Sequence, residues 1–349
     1  MRRFNTSEKI KKIMLSYLII IFTLTIVIVA IVFFVGDNKK GEAYGKDSAK
    51  QFVINDKEVN VTKSKLNKIK VYRASSGKTE EMDLEVYIIG VVSAEMPANF
   101  DKEALKAQAV AARTFAINKI MERCSQANGA DICDTVHCQA YLDKDKRMES
   151  WDQNKAQEYY EKIKAAVNET AGEVVTYNGS IIKYPQYFAI SAGKTEDSID
   201  VFNEDIPYLK SVPSKGEEIA PKYKASKNVS INEFINIVNS KYPNSNLKSA
   251  QVKKSVSILS RTVSGAVKEI QLGCQKITGV DFRKIFELNS SNFSLDFNES
   301  SITITCFGYG HDVGMSQWGA NIMAKSGHSY REILNHYYSG TNISKLDAN

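Results

Sequence analysis

An α+β fold is the expectation for this sequence, and three observations carry it. Helical spacing of apolar residues dominates from Asp83 to about Ile120 and returns from about Asn154 to Thr170, where Tyr160, Ile163 and Val167 share a face. A hairpin signal follows at once: EVVTY at 173–177, the Asn178-Gly179 turn, then SIIKY. Residues 251–307 then read mainly as strands, with good alternation over Ser301–Phe307.

The chain opens with Arg2, Arg3, Lys9, Lys11 and Lys12, and the uncharged run Ile13–Val35 follows. A helix crosses a bilayer with about 20 apolar residues, and the preceding cations put the N-terminus in the cytoplasm by the positive-inside rule. The run exceeds the ~7–15-residue apolar core of a cleavable signal peptide, and no clean A-x-A site follows it. The expected layout is a cytoplasmic N-terminus at 1–12, a single-pass transmembrane signal anchor at 13–35, a polar Lys-rich tether at 36–65 and an exported region at 66–345. Within that region, residues 214–250 are rich in Lys, Ser and Asn around one candidate helix at 231–240, and read as a peripheral insertion. The formal net charge of +6 suits contact with anionic wall polymer or lipid headgroups. It is too small, and too mixed with acids, to argue for nucleic acid.

Inside the first helical stretch, Glu95 has Val91, Val92 and Met96 beside it and Pro97 just after. A carboxyl group held against apolar side chains is desolvated, which raises its pKa and lets it act as a general acid near neutrality. A solvated charge or a helix cap is the plainer alternative. A second helix begins at about Asp101 with Leu105, Gln108, Ala112 and Phe115 on one stripe. Arg113 lies along it and could either pair with an acid or bind substrate. Gly172 stops the 154–170 helix as a C′ residue. Near the end, a helix is expected at about Gly314–Lys325 and another after Ser329, which forms a capping box with Glu332; Gly340 lies beyond it.

Cys124, Cys133, His137 and Cys138 fall within fifteen residues and supply the thiolate and imidazole ligands that tetrahedral zinc prefers. The spacing is not that of a zinc finger, and adjacent His137 and Cys138 are awkward to ligate together. Disulfides are the competing reading, since exported thiols meet an oxidising space. A set so rich in sulfur leaves little room for an open coordination position, which favours a structural metal over a zinc amidase. Gly193-Lys194-Thr195 lacks the upstream glycine of a phosphate loop, because Phe188 stands there. Glycines on both sides of His311 suggest a tight loop that presents a ring or backbone groups to a ligand. His311, Asp312 and Ser316 have the residue types of a hydrolase triad, but no strand–turn–helix elbow surrounds the serine.

Three blocks carry a family resemblance: EMPANFDKEALKAQAVAARTF at 95–115, YFAISAGKTEDS at 187–198, and GYGHDVGMSQWGANIMAKSGHSYREILNHYYSGT at 308–341. Together they resemble the stage II sporulation protein D family, which also includes amidase enhancers, and the likeness spans roughly residues 70–345. The resemblance implies a lytic transglycosylase of peptidoglycan in which Glu95 is both acid and base. It implies a substrate groove with Arg113, Ser191, Lys194 and Thr195, which His311 joins on the reading of its glycine-flanked loop, and zinc held at Cys124, Cys133, His137 and Cys138. It also implies a stem-peptide-free glycan handed over by a cell-wall amidase. The setting implied is an engulfment machine of membrane proteins at the mother-cell membrane, facing the septal space. The enhancer branch offers another class, a non-catalytic glycan-binding protein that stimulates an amidase. The sequence departs from the family at Asp312, which stands where the family has glycine, and at Ala192, where a second small glycine-like residue is common.

Overall fold

The computed structural model describes residues 66–346. The expected N-terminus, anchor and tether therefore lie outside the described residues. Among the described residues, no helix is long and apolar enough to cross a membrane. The fold is a mixed α+β arrangement of several small sheets and ten α-helices among those residues.

Strands β1 (Lys68–Arg73) and β2 (Lys78–Asp83) pair antiparallel, with Ile69 and Val71 turned inward between exposed lysines. Asp83 then caps α1 (Leu84–Glu95), accepting from the Glu85 and Val86 amides. Pro97 cannot continue a helix and pushes Met96 into extended backbone, φ −112° and ψ 140°. Asp101 restarts the helix by accepting from the Glu103 amide at 2.9 Å, giving α2 (Lys102–Met121). The long helical stretch is thus two helices joined by a proline corner.

The sequence suggests one apolar stripe on α2, whereas the structure buries it on most sides, from Ala104 to Ile120. Its many alanines allow neighbours to approach closely, so the helix forms the centre of the main core. Strand β3 (Ile132–Cys133) joins β1 in parallel. Helices α3 (Lys144–Ser150) and α4 (Ala156–Glu169) follow, then the hairpin of β4 (Glu173–Tyr177) and β5 (Ser180–Ile181). Asn178 and Gly179 take φ of 50° and 78°, the left-handed pair that a tight hairpin of this length requires. Strand β6 (Tyr187–Phe188) and the short α5 (Ser198–Phe202) complete this half.

A second hydrophobic core runs from Val229 to Cys306. It is built by β7 (Lys224–Ser230), α6 (Ile231–Lys241), α7 (Val252–Ser255), β8 (Val256–Arg261), β9 (Val267–Leu272), β10 (Gln275–Thr278), α8 (Gly279–Phe286), β11 (Phe293–Phe297) and β12 (Ser301–Phe307). The strands form two antiparallel sheets in the orders β10-β9-β8 and β11-β12-β7. Phe234, Phe282, Phe286 and Phe293 stack between them, with Phe282 and Phe293 centroids 4.6 Å apart. Residues 214–250 supply β7 and α6 to this core. Helix α8 interrupts a segment expected to be mainly strands: Thr278 caps it through the Asp281 amide, and Phe282 and Phe286 are one helical turn apart.

The chain then returns to the main core. Strand β13 (Met315–Ser316) runs parallel to β6, α9 (Gln317–Lys325) and α10 (Tyr330–Tyr337) follow, and β14 (Asn342–Lys345) pairs with β4. The expected Ser329/Glu332 capping box is present. The main core consequently joins the first helices to the C-terminal ones, with Val313, Met315, Ile333, Leu334 and Tyr337 packed among residues of α1, α2 and β4.

Candidate active site and metal cluster

Glu95 is the last residue of α1, placed by the proline corner where the helix stops. It is half-buried, and its Oε1 accepts from the Ala140 amide at 2.8 Å. Burial raises its pKa above the ordinary glutamate value, opposed by hydrogen bonds from the Ala140 amide and the Gln317 side chain. Both groups bonded to it are neutral. Around them lies an amide–phenol network. Gln139 donates to the Tyr87 hydroxyl at 3.2 Å and accepts from the Tyr187 hydroxyl at 3.0 Å, while Gln317 donates to Gln108 at 3.4 Å. Burial holds both phenols protonated, with the Glu95 charge adding to the same direction.

The nest draws on every block of the sequence: Glu95 from the first, Tyr187 from the second, Gln317 from the third and Gln139 from the cysteine segment. Sequence reasoning missed Tyr87, Tyr187, Gln139 and Gln317 as site residues and read Gln108 only as part of a helix face. The available signal was position, since Tyr187 opens one family-like block and Gln317 lies within another. The two other acids near Glu95 in sequence are engaged elsewhere. Asp101 caps α2, and Glu103 pairs with Lys106 at 2.7 Å and accepts from the Tyr330 amide at 2.8 Å.

Cys124, Cys133, His137 and Cys138 converge, their ligand atoms all within 4.8 Å of one another. The Cys124, Cys133 and Cys138 sulfurs lie 3.4, 3.8 and 3.6 Å from His137 Nδ1, and Cys133 and Cys138 sulfurs are 3.4 Å apart. A tetrahedron with metal–sulfur bonds of about 2.3 Å has edges of roughly 3.8 Å, so these residues fit one metal ion. The cysteines are free thiols, and Cys274 and Cys306 are likewise unbridged. The loop is pinned onto β1: the Lys70 amide donates to Asp131 Oδ2 at 2.8 Å, and the Asp131 amide returns a bond to the Lys70 carbonyl. Cys138 stands immediately before the Gln139-Ala140 pair that serves Glu95.

The remaining candidates divide. Arg113 is wholly buried, and its guanidinium binds both oxygens of Glu85, at 2.8 and 2.6 Å, and the Glu173 and Val167 carbonyls at 3.1 and 3.3 Å. Of the two roles open to it, the structure gives it pairing with an acid, in place of the groove position that the resemblance implies. Ser191 and Thr195 are also fully buried. The Ser191 amide donates to Glu217, and Thr195 exchanges bonds with Val212, so both shape the loop that carries half-buried Lys194 rather than presenting side chains to a ligand.

His311 packs between Phe188 and Phe202, with Nδ1 accepting from the Val313 amide at 3.2 Å. Burial, aided by the Arg283 charge, lowers its pKa to about 4, so the ring is neutral; it also bonds the Tyr187 backbone. His311 is thus linked to the Glu95 nest through Tyr187. Asp312 adopts φ 63°, the conformation that glycine takes at no steric cost. Ser316 donates to buried Glu217 at 2.6 Å, with His311 otherwise occupied, and the triad reading is thereby excluded.

A sequence model of the family described as Stage II sporulation protein matches residues 72–177. Stage II sporulation protein D of Bacillus subtilis (strain 168) is 39% identical to this chain over 80% of each protein. Its counterpart in Bacillus amyloliquefaciens is 38% identical over 80% of this chain and 79% of the relative. The amidase enhancer of Bacillus subtilis is 30% identical over 73% of this chain and 40% of its own length. Likeness of this extent places the chain in the stage II sporulation protein D family, a family of sporulation proteins.

Proposed function

We propose that the protein is a lytic transglycosylase of peptidoglycan, acting during sporulation engulfment on glycan stripped of stem peptides. The observation that carries this is Glu95 itself: one desolvated carboxyl held by neutral donors, with the neighbouring acids committed elsewhere. Ordinary glycosidases need two carboxyl groups, whereas a reaction that uses an internal hydroxyl in place of water can proceed with one. Protonated Glu95 donates to the oxygen that links muramic acid to glucosamine, and the C–O bond breaks through an oxocarbenium-like transition state. The carboxylate then takes the proton from the muramic acid 6-hydroxyl, whose oxygen closes on C1 as a 1,6-anhydro ring. Lys194 is assigned to sugar hydroxyls or the lactyl carboxylate, and His311 to support of the groove through Tyr187.

The metal cluster is assigned a structural zinc on the chemistry of its donors. When bound, zinc would hold the 124–138 loop in the shape that presents Gln139 and Ala140. Residues 13–35 are assigned as a signal anchor in the mother-cell membrane, with the following region facing the septal space beside a cell-wall amidase and other engulfment proteins. The similarity to an amidase enhancer supports a second reading, a non-catalytic glycan-binding partner of the amidase. Mass spectrometry of stem-peptide-free glycan incubated with the full chain separates the two. Anhydro-muramyl ends support the transglycosylase, reducing muramyl ends indicate a hydrolase, and uncut glycan that still binds the chain supports the enhancer.

A further inference from the structure

Gly90 is out of place in the interior of α1, since glycine is the poorest helix former after proline. Its missing side chain is what admits residues 139–143 onto the helix. A Cβ at this position would meet the Tyr141 ring at 2.3 Å and the Leu142 carbonyl oxygen at 2.9 Å. The Leu142 amide donates to the Gly90 carbonyl at 3.4 Å. Tyr141 stacks on Tyr87 with centroids 5.3 Å apart and planes 7° from parallel. The Arg73 guanidinium lies 4.8 Å over the Tyr141 ring and pairs with Asp143. At the other end Gln139 bonds Tyr87 and Tyr187. Between these fastenings sits Ala140, whose amide holds Glu95.

We propose that residues 139–143 form a strap across α1, and that Gly90 and Tyr141 are positioning residues whose contact fixes the Ala140 amide and, through it, the Glu95 carboxyl. The proposal rests on the reading of Glu95 as the acid–base group. The strap's contacts fasten it to α1, β1 and β6, so its effect falls on the geometry of the acid and therefore on turnover. A displacement near 1 Å of a reacting group can cost about 10²-fold in rate.

The test uses the full chain in detergent with stem-peptide-free glycan. Tyr141→Leu removes the stacked ring; kcat is expected to fall by about 10²-fold while KM stays within about twofold. Hydrogen exchange at the Ala140 amide is expected to quicken by at least about 10-fold in the same variant, as local opening becomes easier. Tyr141→Phe keeps the ring and returns both quantities to wild-type values. Gly90→Ala, whose methyl displaces the ring, behaves as Tyr141→Leu does. Thermal melting and metal content of each variant separate this from loss of fold. The strap has no positioning role if Tyr141→Leu lowers kcat only in proportion to unfolded protein, or if exchange at Ala140 is unchanged. A wild-type chain that cuts no glycan overturns the function proposed for Glu95, and the amide-exchange comparison then still decides the strap.

Discussion

Glu95→Gln replaces the titrating group with an isosteric amide. The amide oxygen still accepts from the Ala140 amide, which lies 2.8 Å from Glu95 Oε1, so the surrounding nest keeps its shape. In the proposed mechanism, what is lost is the proton that Glu95 donates and recovers in each cycle. General acid–base catalysis contributes about 10²–10⁴-fold, equivalent to about 2.7–5.5 kcal/mol of barrier, and turnover should fall by that factor with glycan affinity nearly unchanged. Stability should move the other way. Burial raises the Glu95 pKa in the folded chain, so the folded state holds a proton that the unfolded state releases. The contribution of Glu95 is therefore fully present below the unfolded pKa and is lost as pH rises through the raised folded value. The Gln variant should gain melting temperature relative to wild type as pH approaches neutrality. Release of anhydro-muramyl ends, followed by mass spectrometry at several pH values, gives the rate, and thermal melts give the stability. Undiminished turnover by Glu95→Gln would remove this residue from the mechanism.

Arg113→Ala strands the Glu85 carboxylate and two main-chain carbonyls, and breaking such a buried pair costs about 3–5 kcal/mol. Thermal unfolding should show a fall of roughly 10 °C; weakened glycan binding at an unchanged melting temperature would return Arg113 to the groove. Purified protein should carry about one zinc ion per chain, released when Cys133 or Cys138 becomes Ser, and a Cys133–Cys138 disulfide in metal-free reduced preparations would contradict that. Glu217 lies at the centre of Ser191, Ser214 and Ser316, and burial raises its pKa to about 7 in spite of their hydrogen bonds. Its protonated form stabilises the fold below the unfolded value and that contribution is lost as pH rises through about 7, so wild type should lose up to roughly 3 kcal/mol relative to Glu217→Gln between about pH 5 and pH 8. Parallel stability curves for the two proteins over that range would show that Glu217 keeps its charge in the fold.

Local features were legible in the sequence because they depend on neighbours a few positions away. The 154–170 helix, the Asn178-Gly179 turn and the Ser329/Glu332 box follow from spacing, left-handed backbone and capping chemistry within one or two turns. The desolvation of Glu95 was legible too, since its apolar neighbours and the proline after it are adjacent in the chain. So was the Cys/His cluster, whose four side chains lie in one short segment and could hold a metal ion. Helix α8 was hidden because a short apolar run looks alike in a strand and a buried helix. The rest was decided by packing between distant segments. Arg113 could pair with any acid until the fold set Glu85 against it, and nothing along the chain tied the Ser191 amide to buried Glu217. The partners of Glu95 come from residues 140 and 317, and no spacing along the chain encodes that meeting. The sequence by itself singled out Glu95 as a carboxyl in an apolar setting and Cys124, Cys133, His137 and Cys138 as a candidate metal cluster. Only the tertiary structure decided what surrounds them, because burial and charge pairing depend on which surfaces the two cores bring together.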